Sequence, residues 1–307
     1  MSPPIDAVLL AGFGGPDSSG EIMPFLRRVT AGRGVPDQRL AEVARHYEAV
    51  GGRSPYNEQT RMLASALEQW LRAAGRSLPV EIGMRSSEPF LAGTMKRMVS
   101  AGRRRAAAVI LAAHRSEAGW DRYVADIARA AAEAGGPEIA RLDPWHDDPG
   151  FLEACAQRIE QSTGRRRGAW PDHIPLIFTA HSIPMASADR SPYVADVTAS
   201  CRGVASLLRP ARWRLAWQSR SGDPRSAWLE PDIAEVLKEE AARGTREAVL
   251  QAIGFLSDHV EVLYDLDVEA AGVAAGLGLV LRRAPCVDAH PEFVGMLGRR
   301  ILALCGP

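Results

Sequence analysis

IPLIFTAHSIP, residues 174–184, carries the pattern from which the architecture of this chain can be read. An apolar run ends in a short turn bearing His181, Ser182 and Pro184. A continuous apolar run of this kind suits a strand buried on both faces, as in parallel sheets. Pro184 then helps to stop regular pairing. The same pattern recurs along the chain. DAVLLAG (6–12) runs into GFGGP, VEIGM (80–84) into MRSSEP, and AAVILAA (107–113) into AHRSE. In the second half RLAWQ (214–218) runs into QSRSGDP, and AVLQAIGF (248–255) into SDHVE. Helix-period segments lie between. In 57–74, Met62, Leu63, Ala66, Leu67, Trp70 and Leu71 recur at the spacing of one helix face. Segments 88–101, 119–134, 150–162, 189–207, 231–243 and 291–304 behave alike. The fold class is therefore α/β with parallel sheets covered on both faces.

Three strands in each half make a loose internal repeat. Two similar Rossmann-like, doubly wound domains are expected, one over 1–146 and one over 147–307. The boundary falls near LDPWHDDPG (142–150), which gathers Pro, Asp and Gly. Every strand ends in a Gly-, Ser- or His-bearing turn, where open α/β sheets place ligands. Two such domains facing a central cleft would account for the repeat.

Composition narrows the function. Lys plus Arg and Asp plus Glu number 37 each in 307 residues, so the formal net charge is zero and no basic field marks a nucleic-acid binder. Cys155, Cys201, Cys286 and Cys305 stand far apart with no C-x-x-C pair, which suits free thiols in a reducing cytosol. The opening MSPPIDAVLLAGFGG lacks a basic n-region, and no stretch approaches the ~20 apolar residues of a membrane span. A cytoplasmic protein without a membrane span is expected. Arg165–Arg167 reads as a solvated loop.

Several segments can do chemistry. His181 at a strand's carboxyl end could accept a proton or bind a borderline metal such as Fe²⁺, or could be structural. In GFLSDHVEVLYDLDVE (254–269), Asp258 and Glu261 have the spacing of a capping box. Glu261, Asp265 and Glu269 also stand at four-residue steps, one stripe on a continuous helix. Like charges so placed repel by about 0.2–0.5 kcal/mol per pair. The stripe suits either a solvated face or a divalent cation passing between carboxylates. GGRSPY (51–56), with Tyr47 upstream, offers Arg53, Ser54 and Tyr47 as donors to carboxylates, or is a polar surface loop. GFGGP is not G-x-G-x-x-G, and Pro16 lacks an N–H, so a dinucleotide site is disfavoured. His114 ends a strand and points towards the same cleft. His46, His146, His173 and His290 read as structural or exposed, and His259 as packed. Trp217 and Trp228 read as core anchors.

Taken in order, GFGGP, GGRSPY, AHSIP, WQSRSGDPRSAWLEPD and GFLSDHVEVLYDLD resemble the successive motifs of ferrochelatases, from about residue 6 to about 300. The opening GFGGP…MPFLRRVTAGRG…LAEVARHYEAVGG is similar to the actinobacterial branch. The resemblance implies two Rossmann-like domains around a porphyrin cleft, the last helix packing back on the first domain, and ferrous iron as substrate. By motif position His181 resembles the active-site histidine and Glu261 the glutamate facing it. Asp265 and Glu269 match an acidic ridge leading outward, which adds both to the metal-binding set with His181 and Glu261. Phe13, Arg33, Tyr47, Ser54 and Tyr123 match positions near the porphyrin. His181 is expected to accept protons and Glu261 to belong to the metal route.

Two departures stand out. Some coproporphyrin enzymes carry an iron-ligating Tyr where this chain has Phe13. Some actinobacterial relatives hold a two-iron two-sulfur cluster on closely spaced C-terminal cysteines; here Cys286 and Cys305 are nineteen residues apart, and no iron–sulfur cluster is expected. DSSGEIMPFLRRVTAGRGVPDQRL (17–40) is polar apart from Ile22, Met23, Phe25 and Leu26. That favours coproporphyrin III, with its four propionates, over protoporphyrin IX. The rival readings are a cobalt or nickel chelatase and a haem carrier using His181 as axial ligand. The implied partners are the porphyrin and, transiently, the next haem-pathway enzyme.

Overall fold

The computed structural model describes residues 3–222 and 225–306. Asp223 and Pro224 of the QSRSGDP motif lie outside the described residues. The chain divides into two compact units. Unit 1 comprises residues 1–112, 118–144 and 288–307; unit 2 comprises 113–117 and 145–287.

Unit 1 contains β1 (Ala7–Gly12), α1 (Ser19–Val29), α2 (Asp37–Ala49), α3 (Tyr56–Ala73), β2 (Val80–Met84), α4 (Leu91–Ser100), β3 (Arg105–Ile110), α5 (Arg122–Ala134) and β4 (Glu138–Arg141). Unit 2 contains α6 (Pro149–Thr163), β5 (Leu176–His181), α7 (Met185–Ala188), α8 (Tyr193–Leu208), β6 (Trp213–Gln218), α9 (Ile233–Ala242), β7 (Glu247–Gln251), α10 (Val260–Tyr264), α11 (Ala271–Gly276) and β8 (Val280–Ala284). A π-helical turn, Asp265–Ala270, joins α10 to α11, and another, Glu117–Asp121, precedes α5. The last helix, α12 (Pro291–Cys305), belongs to unit 1, where Gly298 lets it approach α3. A Cβ at Gly298 would stand 2.1 Å from the Trp70 ring.

Each unit holds a four-stranded parallel sheet, ordered β2-β1-β3-β4 and β6-β5-β7-β8. The order is the same in both, so the repeat in sequence is a repeat in topology. The inner strands β1, β3, β5 and β7 are nearly all buried, which is why they read as continuous apolar runs. The outer strands β4 (EIAR) and β8 (VLRRA) carry charge and face water, and sequence periodicity did not find them.

Segment 17–40 contributes α1 and the start of α2. Despite Pro24, α1 persists because Ile22, Phe25 and Leu26 bury one face. The stretch 189–207 is not helical from its start: residues 189–192 form a turn after α7, and α8 begins only at Tyr193, after Pro192. Arg165 and Arg167 are not merely solvated: they pair with Glu247 and with Glu153 and Glu160.

In each unit the order reverses beside the first strand, between β1 and β3 and between β5 and β7. Crevices at the carboxyl ends of strands flanking such a reversal are where open α/β sheets bind ligands. In unit 2 this places the end of β5 and the loop after β7 side by side.

Candidate active site

His181 is the last residue of β5 and sits in register with Gln218 of β6. The loop after β7 reaches it through Gly254, whose N–H donates to Thr179 O at 3.0 Å. A Cβ at Gly254 would come within 2.6 Å of the Ala180 Cβ, so only glycine lets the loop lie this close. Five residues on, His259 ends the loop as the N-cap of α10, accepting from the Glu261 N–H through Nδ1 at 3.3 Å. This corrects the capping-box expectation: Asp258 pairs instead with Arg283, and burial holds the His259 imidazole below its ordinary range.

These elements bring His181 and Glu261 together. Nε2 of His181 lies 3.8 Å from Glu261 Oε1, with both side chains part-exposed. That is too long for a hydrogen bond and close to the span of two metal–ligand bonds of about 2 Å each. The other ring nitrogen, Nδ1, is 2.5 Å from Ser182 O. A carbonyl only accepts, so Nδ1 carries a proton; in the neutral ring it is then Nε2 that presents its lone pair towards Glu261.

The backbone around both groups is pinned. Tyr193, first residue of α8, donates its hydroxyl to His181 O at 3.0 Å, and its ring packs on Trp217. Gln218 is buried and donates to Glu261 O at 2.7 Å. Ser219 stands at φ 61°, a left-handed conformation uncommon outside glycine, and its hydroxyl bonds the Asp265 carboxylate. None of Tyr193, Gln218 or Ser219 was singled out from sequence. For the last two the available signal was their place in the WQSRSGDP motif.

The helix beyond Glu261 is not a continuous α-helix, the condition under which four-residue spacing makes a plain stripe. A four-residue step overshoots a 3.6-residue turn by about 40°, whereas the wider i→i+5 turn over 265–270 undershoots it. The step from Glu261 to Asp265 and that from Asp265 to Glu269 therefore turn in opposite senses, so the three positions stay on one side of the helix, and the Asp265 carboxyl feels the charge of both neighbours. Beside them Val262, Leu266, Ala270 and Ala274 form a buried stripe against α9 and β7. Asp265 has its carboxyl pushed up to about 7. Burial does most of this and Glu261, Glu269 and Asp232 add to it, against the opposing Ser219 hydroxyl.

A raised carboxyl pKa means that the folded state binds a proton the unfolded chain has released. Without metal, stability therefore falls as pH rises from the ordinary Asp value of about 4 towards about 7, and the loss persists above that. Asp265→Asn is expected to raise the thermal midpoint at pH 8, with a gain that shrinks as pH is lowered to 5. A gain of equal size at both pH values in differential scanning fluorimetry would contradict this origin.

His114 does not offer its ring to a ligand. It is buried, bonded through Nε2 to Ser200 Oγ at 2.9 Å, and burial lowers its pKa to about 3. Beside it Arg115 grips Asp196 with bonds of 2.7 and 2.8 Å, fixing residues 113–117 to α8. His290 caps α12.

The remaining candidates lie in unit 1. Phe13 is exposed, its ring edge-on to Phe25, which is in turn edge-on to Tyr47. Arg33 is exposed on the turn after α1. Tyr47, Ser54 and Tyr123 are buried, Tyr123 under the Arg85 guanidinium. The glycines of GFGGP serve close packing: a Cβ at Gly14, where φ is 89°, would come within 2.3 Å of Ser87 Oγ. Among the described residues no three His, Cys, Asp or Glu side chains gather as a metal cluster. No described helix is long and apolar enough to cross a membrane.

Two α/β units of identical strand order, with an imidazole facing a carboxylate at one switch point, define a chelatase-type protein. The fold of the sirohydrochlorin chelatase SirB from Bacillus subtilis matches over 98% of this chain and 95% of that one, with a TM-score of 0.60 at 15% identity. The ferrochelatase family model matches residues 5–303, and the chain belongs to the ferrochelatase family. It is a porphyrin metal chelatase, a lyase that inserts iron into a porphyrin. A ferrochelatase of Rhodopirellula baltica is 39% identical over 96% of this chain and 85% of its own length. A coproporphyrin III ferrochelatase of Mycolicibacterium paratuberculosis is 43% identical over 98% of this chain and 89% of its own length.

Proposed function

We propose that this enzyme inserts ferrous iron into coproporphyrin III to give coprohaem, with His181 as proton acceptor and the row Glu261, Asp265, Glu269 as the path by which iron arrives. The observation carrying this reading is the His181–Glu261 pair at 3.8 Å, from whose carboxylate the acidic row continues. Insertion releases two protons as Fe²⁺ replaces the pyrrole N–H hydrogens; Nε2 of His181 takes them one at a time and, being part-exposed, returns each to water. A neutral imidazole with its lone pair on Nε2 is a fitting base near neutral pH. Carboxylate oxygens are ligands that Fe²⁺ accepts and releases. Iron is the substrate here, so a row of single carboxylates suits passage better than a tight cage.

The choice of coproporphyrin is supported by the actinobacterial relatives named for it, at about 40% identity. It is also supported by the exposed Arg33, whose cation suits a propionate. Phe13 and its aromatic neighbours supply an apolar wall for a macrocycle. In this reading Tyr47 lies behind Phe25 in that wall, while Ser54 and Tyr123 are buried.

The test is anaerobic turnover of the pure protein with Fe²⁺ and either coproporphyrin III or protoporphyrin IX, followed by absorbance. We expect many turnovers with coproporphyrin and a much lower kcat/KM with protoporphyrin. The opposite preference would overturn the substrate assignment. One equivalent of bound haem without turnover would make the protein a carrier.

A further inference from the structure

Arg283, on the edge strand β8, holds the π turn from behind. Its Nε and one terminal nitrogen bond the two oxygens of Asp267 at 2.5 and 2.8 Å; the other terminal nitrogen bonds Asp258 at 2.8 Å. The guanidinium and the Asp258 carboxylate are both largely buried, at 14% exposure, and Asp258 also accepts from the Cys286 N–H at 3.2 Å. One side chain thus ties the residue just before the helix cap to the middle of the π turn. The acids it neutralises are not those of the row. Asp267 is two residues from Asp265 and two from Glu269, about half a turn away from both. Among the described residues no Lys or Arg pairs with Glu261, Asp265 or Glu269. A π turn is an uncommon conformation that packing must hold in place. If it relaxed to α-helix, Glu269 would rotate away from Glu261 and the row would break.

We propose that Arg283 is a positioning residue for iron delivery, its grip on Asp267 and Asp258 keeping the three carboxylates in line. This rests on the reading of that row as the iron path. Arg283 touches neither iron nor porphyrin, so its loss changes handling of the metal and spares the porphyrin.

Two variants test it. Asp267→Asn removes one half of the grip at a part-exposed position and leaves the Arg283–Asp258 pair. Arg283→Lys keeps the charge but not the two-pronged geometry. In each the KM for Fe²⁺ is expected to rise about 10- to 100-fold, the usual consequence of losing a group that orients a metal ligand. The KM for porphyrin and the thermal midpoint of Asp267→Asn stay near those of the parent, and the ratio of Zn²⁺ to Fe²⁺ insertion changes. Equal movement of both KM values, or of neither, overturns the proposal, since a purely structural role has no reason to separate the substrates. Glu261→Gln is run alongside. If it raises the KM for Fe²⁺ and the two variants do not, the grip alone is refuted. If Glu261→Gln leaves that KM unchanged, the iron path falls and the grip with it.

Discussion

His181→Ala is expected to lower kcat by about 10²- to 10⁴-fold, the range spanned by a positioned general base, while porphyrin still binds. The imidazole is delivered with its tautomer already chosen. Nδ1 is committed to Ser182 O, and the strand end is held by Tyr193. Alanine removes the base and its bond to Ser182 O but keeps the backbone carbonyl that the Tyr193 hydroxyl holds, so the strand end stays in place. The loss falls on the proton-transfer step, not on iron affinity, and the KM for Fe²⁺ stays near its original value. Added imidazole is expected to restore part of the rate. Stopped-flow absorbance separates binding from metallation; a variant that metallates at a near-normal rate would remove His181 from the reaction.

Glu261→Gln has the complementary signature. The amide keeps the shape and loses the charge, in a place where no Lys or Arg among the described residues shares its work. We expect kcat/KM for Fe²⁺ to fall by roughly a hundredfold, mostly through KM, as befits a lost metal ligand. Porphyrin affinity is expected to stay unchanged. The two substitutions face each other at 3.8 Å and share one event, so their effects in the double variant fall short of the product of the single effects. If instead His181→Ala raises the KM for iron and Glu261→Gln lowers kcat alone, the two roles are exchanged. Steady-state kinetics with each substrate varied in turn reads both patterns.

Much of this was legible in one dimension. The inner strands announce themselves because a strand covered on both faces must be apolar throughout, as LIFTA (176–180) is. Glu261, Asp265 and Glu269 share a four-residue spacing, and His181 ends an apolar run; both facts are local. The outer strands β4 and β8 escaped notice because one side of each meets water, leaving too few apolar residues to form a pattern. Helix α1 escaped because Pro24 and flanking charges outweigh three buried side chains until something covers them.

The sequence by itself determined the α/β class, three of the four strands in each unit and the residues available for chemistry, since burial period and side-chain identity are properties of the chain taken a few residues at a time. Tertiary structure alone decided that His181 and Glu261 meet, that His259 and not Asp258 caps α10, that His114 is sealed among Ser200 and its neighbours, and that Arg283 reaches back to Asp267 and Asp258. Each of these is a contact between segments distant in sequence or a choice between competing partners. Such choices are set by which strands lie side by side and by what burial leaves unpaired, and no local spacing records them.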